Sequence, residues 1–207
     1  MTESRITQLL EPFLGERTLL GEQLCAIQIY LDFLLKWNAK LNLTAIRDPE
    51  EIIKRHFGES IFAARQLFPE AEGKETAIDV GSGAGFPGLA IKNCRPDLKM
   101  TLVESNQRKS TFLREVVRAL EMKEVEVISS RAESLSIRAD LVTLRAVERF
   151  ESVLATAAKL VQPKGRLALL IGESQLSKAR SVLPQLDWAE PIPVPSSNSR
   201  ILLVANR

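Results

Sequence analysis

Beyond about Lys74 the chain alternates short apolar runs with helical ones, and this alternation constrains the fold more than any other feature. Thr76–Val80, Met100–Val103, Val125–Ile128, Leu141–Leu144 and Arg166–Ile171 read as buried strands. Between them Leu89–Cys94, Gln107–Leu120 and Ser152–Val161 are helix-like. Strands alternating with helices argue for a parallel sheet with helices on both faces. Ile192–Val194 and Arg200–Ala205 are joined only by Pro195-Ser196-Ser197-Asn198-Ser199, which leaves no room for a crossover helix. The expected fold is therefore α/β, a doubly wound sheet ending in an antiparallel hairpin.

The first seventy residues read as helical. Leu9, Leu10, Phe13 and Leu14 have helix-like spacing, with Pro12 and Gly15 near the end of that segment. Thr18 to Trp37 is a longer amphipathic run carried by Leu20, Leu24, Ile27, Leu31, Leu34 and Leu35. A third helix is expected to start at Asp48, a good N-cap, with Pro49 at the first helical position and Glu51 completing a capping box. The expected division is a helical extension over residues 1–70 and an α/β domain over 71–207.

Size and composition remove several alternatives. A chain of 207 residues buries a real core without disulfides or metal staples. Cys25 and Cys94 show no zinc-like spacing and read as buried small hydrophobes. With His56 as its one histidine the chain cannot build a multi-histidine centre, and no metal is expected. A net charge of +2 is too small to announce nucleic acid by composition alone. No signal peptide is legible among Glu3, Glu11, Glu16 and Glu22. Ile27–Leu35, broken by Gln28 and Asp32, is too short to span a bilayer. A reduced, cytoplasmic monomer with no membrane partner is the expectation.

The strongest local signal is Ala77-Ile78-Asp79-Val80-Gly81-Ser82-Gly83-Ala84-Gly85-Phe86-Pro87-Gly88. It follows the first strand and opens a helix, where an open α/β sheet binds ligands. Gly83 to Gly88 satisfies Gly-x-Gly-x-x-Gly, a weak signal alone. Two carboxylates narrow the cofactor. Glu104 ends the second strand 21 residues after Gly83 and can hold both hydroxyls of an adenosine ribose, which suits NAD and S-adenosylmethionine equally. Asp79 puts a negative charge beside the loop, where it repels a pyrophosphate and attracts an α-ammonium and a sulfonium. That favours S-adenosyl-L-methionine. The plainer reading of Asp79 is a side chain that caps the following turn.

Asp-x-Gly-x-Gly-x-Gly followed by Phe-Pro-Gly, with Lys36-Trp37-Asn38, Asn42-Leu43-Thr44, Arg55-His56, Arg131-Ala132-Glu133 and Arg145-Ala146, resembles the GidB (RsmG) family. The resemblance runs from about Lys36 to Gly172. It implies a class I S-adenosylmethionine-dependent methyltransferase (Rossmann-like) that methylates the seven-position nitrogen of a guanine in small-subunit (16S) rRNA. The partner would be that rRNA within a subunit or assembly intermediate. Carried over residue by residue, the resemblance implies cofactor contacts at Gly81, Gly83 and Phe86, Glu104 on the ribose, and Ala132 and Glu133 flanking the adenine. Arg145 would lie beside both cofactor and base, while Asn42, His56 and Arg131 match positions on the active-site or RNA-facing side. Two departures stand out. The family's His-x-x-Asp-Ser is His56-Phe57-Gly58-Glu59-Ser60 here, which keeps a charge but moves it. Its Leu-Lys-Gly is Leu170-Ile171-Gly172, so that lysine's role is absent or relocated to Lys164 or Lys178.

The seven-position nitrogen has a lone pair and no proton to lose, so its methylation needs no general base. Arg131 or Arg145 is the candidate to hold the guanine carbonyl oxygen and orient the ring. That atom lies on an edge closed to side chains in A-form RNA, so the target must be unpaired or unwound. Lys36, Lys40, Arg47, Lys54, Arg55 and Arg65, with Arg108 and Lys109, offer phosphate contacts. Asp48, Glu50, Glu51 and Glu59 among them make a solvated mixed face the alternative. By pattern alone His56 is a packed core histidine, Trp37 is core between extension and sheet, and Arg145 pairs with Glu148 or Glu173. Rival functions are an NAD(P)-dependent oxidoreductase, a non-catalytic RNA-binding protein that kept the pocket, and a small-molecule methyltransferase.

Overall fold

The computed structural model describes residues 1–69, 74–145 and 150–207. Its N-terminal part holds α1 (Glu3–Leu14), α2 (Gly21–Leu41), α3 (Pro49–Ile52) and α4 (Glu59–Leu67). Helix α3 starts as its sequence dictates: the Asp48 carboxylate accepts the Glu51 N–H at 2.9 Å and Pro49 occupies the first turn. Glu51 itself pairs with Lys54, so only half of the expected capping box forms. Between α3 and α4 lies a π-helical turn, Ile53–Gly58, which carries Arg55 and His56. Such wide turns are frequent at functional sites, and no periodicity in the sequence announces this one.

The sheet is built from β1 (Thr76–Val80), β2 (Lys99–Val103), β3 (Val125–Ile128), β4 (Ala139–Arg145) and β5 (Val161–Gly172). These run parallel in the order β3-β2-β1-β4-β5, with Ile78 between Thr101 and Val142. The order reverses between β1 and β4, which opens a crevice at the carboxyl ends of those strands. Three short or late strands complete the sheet: β6 (Asp187–Trp188), β7 (Ile192–Pro193) and β8 (Arg200–Asn206). Strand β8 lies antiparallel to β5, and its other edge pairs with both β6 and β7. The expected hairpin is β7 to β8. The two-residue β6 is too short for any apolar pattern to reveal.

Four further helices cover the sheet: α5 (Gly88–Cys94), α6 (Gln107–Ala119), α7 (Phe150–Leu160) and α8 (Leu176–Val182). Alternate strand residues point to opposite faces. Ile78, Val80, Val142, Leu144, Leu167 and Leu169 pack with α7 and α8. Ala77, Met100, Leu102, Leu141 and Leu170 pack with α5 and α6, and the same cluster continues through Leu10, Phe13, Leu34 and Phe57 of the N-terminal part. The helical extension and the sheet thus share one core; the expected division at 70/71 falls outside the described residues. Trp37 is partly buried with its ring edge on Phe112 of α6, centroids 5.8 Å apart, which is the core role expected of it. Cys25 corrects an expectation: it is exposed on α2, because it falls beside rather than on that helix's apolar stripe. Cys94 is partly buried, and burial pushes its thiol up to about 12. No helix among the described residues is long and apolar enough to cross a membrane.

Gly88 begins α5 directly under the sheet. A Cβ there would stand 2.7 Å from Leu102 Cδ2 and 2.8 Å from Asp79 Cβ, so helix and strand approach only because it has none. Gly88→Ala is therefore expected to cost about 1–3 kcal/mol by overpacking. Urea denaturation measures this, and a loss under a few tenths would mean that Leu102 and Asp79 move aside freely.

Candidate active site

The glycine segment leaves β1 through left-handed backbone that favours glycine. Gly83 has φ +55°, and the space where its Cβ would be is open, the nearest atom being the Gly81 carbonyl oxygen at 3.7 Å. The backbone there is available to a ligand at close range. Gly85, at φ +91°, lies where any Cβ would collide with the Tyr30 hydroxyl. Tyr30 reaches the loop from α2 and donates to the Ala84 carbonyl at 2.5 Å. Its ring stacks on Phe86 at 5.1 Å and 3°, His56 stacks on Phe86 at 5.0 Å and 22°, and Phe57 meets it edge-on. Three aromatic side chains from the extension therefore hold the loop.

A cleft of about 660 Å³ opens at the carboxyl ends of β1 to β4, within the roughly 300–1,000 Å³ usual for small-molecule sites. Gly81, Gly83 and Phe86 line it after β1, and Glu104 after β2. Arg131, Ala132 and Glu133 line it after β3, Arg145 at the end of β4, and His56 from the π-helical turn. Two expected site residues stand elsewhere. Asn42 is an exposed left-handed cap of α2 (φ 48°), its side chain accepting from Arg47 at 2.8 Å. Asp79 is fully buried behind the loop, where Oδ1 accepts from the Thr143 hydroxyl at 2.6 Å and Oδ2 from the Gly88 N–H at 3.3 Å. The plainer reading is a side chain that caps the following turn; here the carboxylate instead ties β1 to β4 and to the start of α5. Burial pushes Asp79 up to about 6 against those hydrogen bonds.

Glu104 is poised differently. One oxygen accepts the Gly83 N–H at 2.9 Å and the other the Asn106 N–H at 2.8 Å. A carboxylate accepts about four hydrogen bonds, so each oxygen keeps capacity toward the cleft.

Thr44, which belongs to the Asn-Leu-Thr motif but carried no assigned role, also lines the cleft. Its hydroxyl lies 2.7 Å from His56 Nε2. Asn38, buried in the last turn of α2, clamps its backbone: the Thr44 N–H donates to Oδ1 at 2.9 Å, and Nδ2 donates to the Thr44 carbonyl at 3.0 Å. Burial, with Arg145, Arg55 and Arg200 nearby, pushes His56 down to about 3, so the imidazole is neutral near pH 7.

The partner of Arg145 is Glu59, not Glu173; Glu148 and Ala146 lie outside the described residues. Glu59 is 1% exposed and accepts from Arg145 and from Arg55, each at 2.9 Å, while Arg200 of β8 stands 3.4 Å away. Arg145 also donates to the Arg55 carbonyl at 2.5 Å. Burial pushes Arg145 down to about 10, partly offset by Glu59. At the second departure, Ile171 is buried in the core. Lys164 lies near the start of β5, with its N–H on the Arg207 carbonyl, and Lys178 pairs with Glu151 at 2.5 Å. Neither lysine lines the cleft. Of the basic residues expected to face RNA, Arg47, Lys54 and Arg55 are engaged by protein oxygens and Arg65 lies over Phe62. Lys36, Lys40 and Arg108 are exposed, and Lys109 lines the cleft.

The family profile described as rRNA small subunit methyltransferase G, GidB, matches residues 23–189. The chain belongs to this family. Ribosomal RNA small subunit methyltransferase G of Neisseria meningitidis serogroup A is 41% identical over 144 residues, covering 69% of this chain and 68% of that protein. Its counterpart in Chloroflexus aggregans is 34% identical over 200 residues, covering 89% and 82%. The crystal structure of a SAM dependent methyltransferase from Aquifex aeolicus superposes with TM-score 0.61 at 16% identity, over 80% of this chain and 96% of that one. The class I methyltransferase fold is thus shared. Membership of GidB sets aside the oxidoreductase alternative.

In this GidB chain the two shifted groups give opposite pH dependences of stability. His56 ionises at 6.5 when unfolded and at about 3 when folded, so its contribution is lost as pH falls below 6.5. Asp79 ionises at 3.8 when unfolded and at about 6 when folded, so its contribution is present at low pH and lost as pH rises through that window. Each slope is at most ~1.4 kcal/mol per pH unit, and between about pH 4 and 6 they oppose. Asp79→Asn is expected to uncover the histidine's slope, so that stability in urea falls more steeply than wild type from pH 6 to 4. Equal slopes would refute it. The ring protons of the single histidine should show no NMR titration from pH 8 to 5; a midpoint near 6.5 would mean an exposed imidazole.

Proposed function

We propose that this chain transfers the methyl group of S-adenosyl-L-methionine to the seven-position nitrogen of an unpaired guanine in small-subunit (16S) rRNA. The observation that carries the reading is the cleft at the β1–β4 switch point, with an open glycine backbone on one strand end and a half-satisfied Glu104 on the next, in a chain of the GidB family. These residues fit the cofactor: a carboxylate with free lone pairs suits a ribose diol, and a bare glycine turn admits close approach.

When bound, S-adenosylmethionine supplies an electrophilic methyl on a positively charged sulfur. Bound there, it would give its methyl group to the guanine lone pair, the S–C electron pair staying with sulfur and the positive charge passing to the base. No proton leaves the reacting atom, so the cleft needs no base, and His56, neutral near pH 7, is not asked to be one. The chain's contribution is orientation, which can be worth on the order of 7–11 kcal/mol. Glu104 would hold the ribose, Ala132 and Glu133 would flank the adenine, and Gly81, Gly83 and Phe86 would shape the wall behind the methyl-bearing end. Asp79 acts on that end through its charge from behind the loop. Arg145, fixed by Glu59, and the exposed Arg131 face the acceptor, where a planar guanidinium can engage the guanine carbonyl. Lys109, Lys36, Lys40 and Arg108 are left to meet phosphates. The protein acts as a monomer in the cytoplasm, on a small subunit or an assembly intermediate of it.

Incubation with small-subunit particles lacking the modification and methyl-labelled S-adenosylmethionine tests this. Nuclease digestion and mass spectrometry are expected to find the label on one guanine as the seven-methyl base. Label on another atom or base, or none despite cofactor binding, would overturn it.

A further inference from the structure

A flat base that enters a cleft to react is held by flat partners, either aromatic rings or the planes of arginines. Among the described residues only two aromatic side chains line this cleft, Phe86 and His56. The undescribed segments, 70–73 and 146–149, contain no aromatic residue. Phe86 has no face to give: it is 7% exposed, with Tyr30 and His56 stacked on it and Phe57 against its edge. Arg145 is tied by Glu59 and the Arg55 carbonyl. His56 remains. One face rests on Phe86 and Nε2 is bonded to Thr44, which fixes the ring's rotation, yet the residue is partly exposed in the cleft.

We infer that the face of His56 turned away from Phe86 is the platform on which the acceptor base stacks, the last of a run of rings that begins at Tyr30. This rests on the proposed methyl transfer and names how the acceptor is held. The sequence pattern and the cleft pull His56 two ways, packed ring and site residue, and a platform is both at once.

The chemistry suits the surface. Methylation leaves the base positively charged, and a ring face attracts a cation placed over it. That attraction grows as the charge develops, so it favours the transition state over the bound substrate. The ring must be neutral to act so, and burial among three arginines keeps it neutral. Tyr30 and Phe57 act behind it as positioning residues, since Phe86 could not support His56 without them.

The test separates the ring from its hydrogen bond. His56→Phe keeps a flat face and loses the bond to Thr44, whereas His56→Gln can keep the bond and loses the ring. Steady-state methylation of small-subunit particles is measured for both, with cofactor affinity by calorimetry. The platform predicts kcat/KM within about threefold of wild type for His56→Phe and a loss of about tenfold or more for His56→Gln, with cofactor affinity unchanged in both. The reverse order would overturn it and leave His56 acting through Thr44. Wild-type rates in both variants would show that the base does not touch the ring. A loss in His56→Gln matched by an equal loss of cofactor affinity would reduce the ring to a prop for Phe86. The wild-type product tests the reaction itself: if wild type methylates no base the reaction and the platform both fall, and if it does, the variants judge the platform alone.

Discussion

One buried carboxylate organises the acceptor side of the cleft. Glu59 is withdrawn from water and faces guanidinium groups from three places: Arg55 in the π-helical turn, Arg145 at the end of β4 and Arg200 on β8. Burying a charge is expensive, and a close partner only offsets the cost. Here one anion faces three cations, Arg145 buried, Arg200 partly buried and Arg55 more exposed, an uneven arrangement of the kind that clusters at functional sites. Removing Glu59 would leave three cations in mutual repulsion. Keeping it fixes Arg145 at the cleft, and the arginines it gathers add to the burial that holds the His56 imidazole neutral. The glutamate that departs from the family's aspartate is thus not idle; its longer side chain is bound by two guanidinium groups and approached by a third.

The same region shows why the N-terminal helices belong to the active site. Tyr30 and Asn38 come from one helix, and each secures a different wall: Tyr30 holds the glycine loop through the Ala84 carbonyl, and Asn38 holds the loop that presents Thr44 to His56. Their positions are set by a core continuous with the sheet, so the geometry of the cleft depends on packing well away from it. Substitutions at Phe13 or Leu34 would reach the site through these contacts.

What could be read from the chain follows from how local each signal is. The strands of the parallel sheet, the Asp48 cap and the glycine turn are decided by neighbours in sequence, and their residues announced them. Glu104 was legible because the distance from the loop to the end of the next strand is set by one helix. The π-helical turn was not, since its wide hydrogen bonding is a compromise between helix register and packing against α1. Glu59 could not be assigned, because Arg145 and Arg200 are far from it in sequence. Asp79 was read as a charge beside the loop; sequence could not reveal that Thr143 and the α5 N-terminus absorb both its oxygens. For Asn42 a shared motif stood in for geometry: Asn38 and Thr44 of the same stretch turn inward, while Asn42 supplies the left-handed conformation that lets the chain turn between them.

The position of β8 has a consequence for how the molecule comes into being. It follows β6 and β7 in the chain, yet it lies inside the sheet, between β5 and those short strands, and it supplies Leu202 to the core shared with the first helices. It also brings Arg200 to Glu59. Until residue 206 has left the ribosome, neither the sheet nor the charge cluster can be completed, and the apolar faces of α1 and α2 wait with part of their cover missing. Pairings this distant in sequence form slowly. The core therefore closes only when β8 docks, and the nascent chain stays open to aggregation or chaperone capture until that strand slots into place.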